Sequence, residues 1–161
     1  MSKVRRQSVI FLLIFSLIQL SDAILWKIEM KHNAINYYVT SYLIPALLSS
    51  QIIYWTIVDT SRDTFKNVLS VISVVYLFAR FHGYSSQSLC KNGLSSPIWG
   101  SLEIKWWEMV IFAYLITSST TGFILLVAAV FPLIWLLTGG GYGSMWCFIA
   151  NALAVYYLYD S

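Results

Sequence analysis

"SLIQLSDAILW", residues 16–26, closes the first apolar run of the chain and has two incompatible readings. A secretory signal peptide has a basic start, an apolar stretch and a small-residue cleavage site. Met1 to Ala23 has all three: Lys3, Arg5 and Arg6 at the start, and Ser21-Asp22-Ala23 at the site. A resident membrane helix instead keeps Asp22 in or near the bilayer. The apolar run resumes at once in "AILW". Twelve Val, Ile, Leu and Phe residues lie between Ser8 and Trp26. At about −0.3 to −0.6 kcal/mol each they offset one Asp, which costs about +3 at a helix centre and less near an end. We read the segment as a resident helix. Cleavage after Ala23 remains the alternative, and it would remove Asp22 with the leader.

The composition around this stretch sets the class. The chain has 161 residues, 58% hydrophobic and 11% charged, with a mean hydropathy of +0.70. Soluble domains carry about 25% charged residues, and a water-soluble fold of this size has too little interior to hide so much apolar surface. The charges gather at 3–6, 27–32, 59–66, 80–91 and 103–108, with long apolar runs between them. The expected fold is all-α, a polytopic transmembrane helix bundle forming a single domain. The net charge of +3 is spread over the loops, so no nucleic-acid surface is indicated. No cofactor motif stands out. "TGGGYG" lacks the Lys and Ser/Thr that a phosphate loop requires and reads as a turn before a helix.

Spans are expected at 8–26, 34–58, 68–84, 101–119, 121–137 and 144–159. Pro45 should kink the second. The polar stretch "SSQSLCKNGLSSPIWGS" after the third reads as a loop. Met109 to Leu137 carries no charge, and its 29 residues would make a helix of about 43 Å against a core of about 30 Å. A break at "SSTTG", residues 118–122, resolves this into two short helices and favours six spans; one long kinked helix would leave five. The Lys/Arg balance is nearly even. Lys3, Arg5, Arg6, Arg62 and Lys66 fall on one side, and Lys27, Lys31, Lys91 and Lys105 on the other, with Arg80 at the boundary. The basic flank of the first helix places the amino terminus in the cytoplasm. Six spans put Cys90 and Cys147 on one side, where a disulfide is conceivable; five put them in opposite compartments. Neither cysteine has a metal-ligand spacing, and no metal is expected.

The polar residues inside the spans are the candidate site. Gln19, Asp22 and Trp26 share a helical face at i, i+3 and i+7, and that face should point into the bundle, because a polar stripe facing lipid is costly. Arg80, by charge, and Gln51, by depth, are the expected partners of Asp22. His82 and Glu108 fall near span ends, and Asn151 suits an interhelical hydrogen bond. His82, Cys90, Glu103 and Glu108 could meet at the membrane surface, but no catalytic motif joins them, so no enzyme is expected and no catalytic residue is assigned.

"LIQLSDAILW", "PALLSSQ" and the C-terminal "GSMWCFIANAL" together resemble a family of uncharacterised multi-pass membrane proteins of bacteria, algae and large DNA viruses. Its first motif, Gln-x-x-Glu-x-x-x-Trp, maps to Gln19, Asp22 and Trp26, with Asp in place of Glu. Its last helix, Ser-x-Trp-Cys-Phe/Trp, maps to Ser144, Trp146, Cys147 and Phe148. The resemblance runs from about residue 16 to 158 and implies the loop at "SSTTG". Two departures stand out: members have a further helix before the first motif, and they carry His before Trp106, where this chain reads "SLEIKWW".

Two functions follow as expectations. One is a structural or scaffolding membrane protein, for instance in the internal membrane of a large virus. Its partners would be the lipid bilayer and other membrane or capsid proteins, or further copies of itself. The other is a small transporter or channel that uses Asp22 as an intramembrane acid.

Overall fold

A computed structural model describes residues 3–91, 94–101, 104–118 and 120–138. The architecture is mostly helical. Helix α1 runs Lys3–Lys27, and α2 occupies Ala34–Val58. Helix α3 spans Thr64–Phe81, and α4 spans Trp106–Ile116. Helix α5 is continuous through Thr120–Leu125, Leu126–Val130 and Phe131–Thr138. Ile10–Lys27, Ala34–Val58 and Thr64–Phe81 are each long and apolar enough to cross a membrane. The expected helix at 144–159 lies outside the described residues.

The turn after α1 takes an unusual backbone course. Glu29 and Met30 are both left-handed, at φ 54° and 52°, a conformation that costs a non-glycine residue about 1–2 kcal/mol. Local hydrogen bonds offset this: Met30 N donates to Leu25 O at 3.0 Å and Glu29 N to Trp26 O at 2.9 Å. Asn33 then caps α2, its Oδ1 accepting from Asn36 N at 2.9 Å.

Both long helices that contain a proline widen just before it. In α2 a π-helical turn, Val39–Leu43, precedes Pro45; in α5 a π-helical turn, Leu126–Val130, precedes Pro132. A proline has no N–H to give and its ring strikes the carbonyl four residues back. Those carbonyls belong to Ser41 and Ala128, the middle residue of each π turn. The expected kink at Pro45 is thus a widened turn, which moves the obstructing carbonyl aside.

Asp63 caps α3 by accepting from Lys66 N at 2.7 Å, which starts the helix at Thr64 rather than at 68. The chain leaves α3 through Gly83 (φ 83°). The stretch read as a loop contains an antiparallel hairpin, β1 Gln87–Lys91 with β2 Leu94–Ile98, in register from Gln87↔Ile98 to Lys91↔Leu94. A tight turn at Trp99–Ser101 follows. Gly100 there has φ 76°, which favours glycine, and a Cβ on it would also crowd the Phe81 ring at 3.2 Å. Helix α4 begins at Trp106, not at 101. It ends at Ile116 and the next helix starts at Thr120, so the chain does break at the hydroxyl-rich patch.

Helix α1 packs on α2 and α2 on α3, with α4 against both α2 and α3. Phe15, Ile18 and Leu25 of α1 meet Ile44, Leu48 and Ile52 of α2 in the core, which continues through Phe81, Trp99 and Met109. The loops gather at two ends. At one end Arg62 Nη1 donates to Leu115 O at 3.0 Å and Lys66 Nζ to Thr117 O at 2.7 Å. These cations cap the carbonyl end of α4, where the helix dipole is negative. At the other end lie the 28–33 turn, the hairpin and Trp99.

Candidate functional site

At the hairpin end a cavity of about 100 Å³ opens between α2, α3, α4 and the Trp99 turn. Leu48 and Ile52 of α2 form its floor, and Ser73, Tyr76, Leu77 and Arg80 line it from α3. The α3 residues stand at i, i+3, i+4 and i+7, a single helical face. Glu108 on the first turn of α4 completes the polar edge.

That edge is an ion pair. Arg80 Nε donates to Glu108 Oε1 at 3.0 Å, with the two side chains 11% and 10% exposed. The Tyr76 hydroxyl donates to the same oxygen, and Lys105 N donates to Oε2 at 2.6 Å. Glu108 therefore serves both as the acceptor at the start of α4 and as the counter-ion that fastens α4 to α3. Three donors thus converge on this enclosed side chain, in the places that water would otherwise take.

On the far side of Trp99 lies Asp22. The Trp99 indole lines the cavity, and its Nε1 donates to Asp22 Oδ1 at 2.8 Å. Asp22 is 7% exposed. The buried residues of α1 whose side chains are described are Phe15, Ile18, Ser21, Asp22 and Leu25, while Gln19 is half-buried and Trp26 is 40% exposed. The expected Gln19–Asp22–Trp26 face is thus rotated, and Trp26 points outward.

The expected partners of Asp22 are placed elsewhere. Arg80 is held by Glu108. Gln51 is fully buried, but Phe11 of α1 stacks against Tyr54 and Trp55 of α2. Counting back along the antiparallel helices brings Gln51 level with Ile14 and Phe15, some seven residues or about 10 Å from the level of Asp22. Among the described residues neither Nε2 nor Oε1 of Gln51 meets a hydrogen-bond partner. His82 is exposed beyond the end of α3, with its ring 6.0 Å from that of Tyr42. Cys90 is exposed on the hairpin. Glu103, Ser144, Trp146, Cys147, Phe148 and Asn151 lie outside the described residues, and with Cys147 so does the disulfide to Cys90 that six spans make conceivable. Among the described residues no three of His, Cys, Asp and Glu come together as a metal would require.

A second polar cluster, absent from the sequence expectations, ties the 28–33 turn to the loop before the hairpin. The fully buried Asn36 donates from Nδ2 to Met30 O at 3.2 Å, to Lys31 O at 3.2 Å and to Ser86 O at 2.9 Å. Its Oδ1 accepts from Ser86 N at 2.8 Å and from the Thr40 hydroxyl at 3.0 Å. The Ser41 hydroxyl adds a bond to Tyr84 O at 3.0 Å. The carbonyls of the strained left-handed turn thus have partners. Asn36 and Thr40 stand at i and i+4 in "NAINYYVT", the one local sign that they share an inward face. Nothing local to "IWGS" singles out Trp99.

At the opposite end, burial pushes Arg62 below its usual range, with the charge of Asp59 acting against that. Asp59 is held below the ordinary carboxylate range. Partial burial acts to raise it, but the hydroxyl and backbone N–H of Ser61 and the charges of Lys66 and Arg62 outweigh that.

Fold and site together define a helical bundle with span-length apolar helices, buried polar ties at one end and an apolar cavity beside them. Comparison with family models, with curated proteins and with solved structures finds no match. The family likeness therefore rests on the motif residues alone.

Proposed function

We propose that the protein is a multi-pass integral membrane protein of six spans with a structural role, its amino terminus in the cytoplasm. The outer faces support the membrane part. Leu13, Leu17 and Leu20 are exposed on α1, and Phe65, Val68, Val71, Ile72 and Val75 on α3. Contiguous apolar surface of this kind suits lipid rather than water. The observation that carries the structural part is that the buried titratable groups join elements to one another: Asp22 with Trp99, and Arg80 with Glu108. Such pairs orient helices and loops. In this reading its neighbours are lipid and other membrane or capsid proteins, or further copies of the chain, with a viral internal membrane as the setting that the family resemblance suggests.

The test is reconstitution of the full chain into phosphatidylcholine vesicles loaded with a pH-sensitive dye or with radiolabelled ions. Under the structural reading the vesicles are as tight as protein-free ones, and Asp22→Asn changes thermal stability alone. A proton or ion flux that Asp22→Asn abolishes, in a protein still folded, would replace this reading with transport.

A further inference from the structure

We infer that the cavity beside Trp99 is a binding site for a neutral, hydroxyl-headed amphiphile, a long-chain alcohol in its simplest form. This goes beyond the structural role, because it gives the bundle a ligand whether or not it conducts anything.

Size comes first. A dry apolar cavity of about 150 Å³ accommodates a benzene molecule, so about 100 Å³ holds roughly four carbon atoms and not a whole lipid. The cavity is bordered by Tyr76 and Trp107, both partly exposed, with their rings in contact at a centroid distance of 5.7 Å. Because both residues reach the outer surface and the cavity is open on one side, a longer chain can leave beside them, on the side where the membrane reading puts lipid. The pocket takes the head and the first few carbons, and the rest of the chain stays in the bilayer.

The polar edge selects the head. Arg80 and Glu108 neutralise one another, so the edge offers no net charge to a phosphate or an ammonium, and an unpaired charge brought into so apolar a space would be costly. A hydroxyl both donates and accepts. The Tyr76 oxygen, whose proton goes to Glu108, retains acceptor capacity, and Glu108 Oε2 carries one protein donor, Lys105 N, on an atom with two lone pairs. Ser73, two turns from Arg80 on the same face of α3, supplies a further hydroxyl within the lining. The edge thus offers two acceptors, the Tyr76 oxygen and Glu108 Oε2, to a ligand O–H, with the Ser73 hydroxyl able to donate in return; an alkane has no O–H to give, and a carboxylate has none either and must also lose its hydration.

The test uses the full chain in phosphatidylcholine nanodiscs and an octanol carrying a photoreactive diazirine next to the hydroxyl. Labelling should concentrate on Tyr76, Glu108 and Trp107. Excess octanol should suppress it, while octane and, at neutral pH, octanoate should not. Tyr76→Phe should weaken the competition about fivefold, the loss of one hydrogen bond, and Ser73→Phe, which fills the cavity, should abolish the labelling. If a variant fails to fold, the competition series on the unmodified chain decides alone. Label spread evenly over the outer faces of α1 and α3, or equal competition by octane, octanol and octanoate, would overturn the inference. Either result leaves the vesicle-flux test of the structural reading untouched.

Discussion

Asp22 and Trp99 are 77 positions apart and share one hydrogen bond of 2.8 Å in the core. A bond from a neutral donor to a buried carboxylate contributes about 1.5–3 kcal/mol, and leaving the anion without it adds a desolvation cost. Trp99→Phe preserves most of the packing and removes the N–H, so it should lower the thermal midpoint in detergent markedly. Asp22→Asn retains an acceptor oxygen and should cost less. The measurement is thermal unfolding of both variants side by side. A Trp99→Phe protein as stable as the parent would show that the bond contributes nothing.

Between helices, ends and turns carry the specific chemistry. The two π turns each allow a proline within a long helix, and the cations Arg62 and Lys66 close the carbonyl end of α4. The loop that presents Arg62 is shaped by Asp59, whose carboxylate accepts from the Ser61 N–H at 3.0 Å and from the Ser61 hydroxyl. Because Asp59 is held below its ordinary range in the folded protein, it stabilises the fold above the unfolded value of about 3.9. That contribution disappears as pH falls through the lower folded value. The parent should therefore exceed Asp59→Asn in thermal midpoint at neutral pH, and the gap should start to close near the unfolded value of about 3.9 and be gone once pH is below the folded one. The gap will be small, under about 1 kcal/mol, because the loop is well exposed to water. A gap that persists unchanged into acid would contradict it.

Across the whole molecule, the Arg80–Glu108 pair fastens α3 to α4 and bounds the cavity. Removing one partner of an enclosed pair strands the other and typically costs about 3–5 kcal/mol, whereas replacing both with apolar groups is often close to neutral. Arg80→Met alone should thus destabilise strongly, and Arg80→Met combined with Glu108→Leu should recover much of the loss. Chemical or thermal unfolding of the three proteins in one detergent measures this. Additive losses in the double variant would mean that the two side chains act independently.

Much of this was legible in the residues themselves. The apolar runs announced the helices; Ala34–Val58 appears with the expected bounds, since hydropathy over a full span is a strong local signal. The break between Ile116 and Thr120 was announced by hydroxyl side chains that compete for backbone bonds. The hairpin was not expected, because its Ser, Gly and Pro read as a loop, although the dipeptide Asn92-Gly93 in that stretch is one that hairpin turns favour. What local sequence does not contain is which buried polar group meets which. Asp22 was matched with Arg80 by charge, yet in the fold Arg80 reaches Glu108 and Asp22 receives an indole N–H from a residue in a loop. Composition and periodicity are short-range properties, and they determine that this chain forms apolar helices and roughly where along the chain each lies; caps such as Asp63 set the ends. The partner of a buried charge depends on helix rotation and relative height, which only the packed bundle decides.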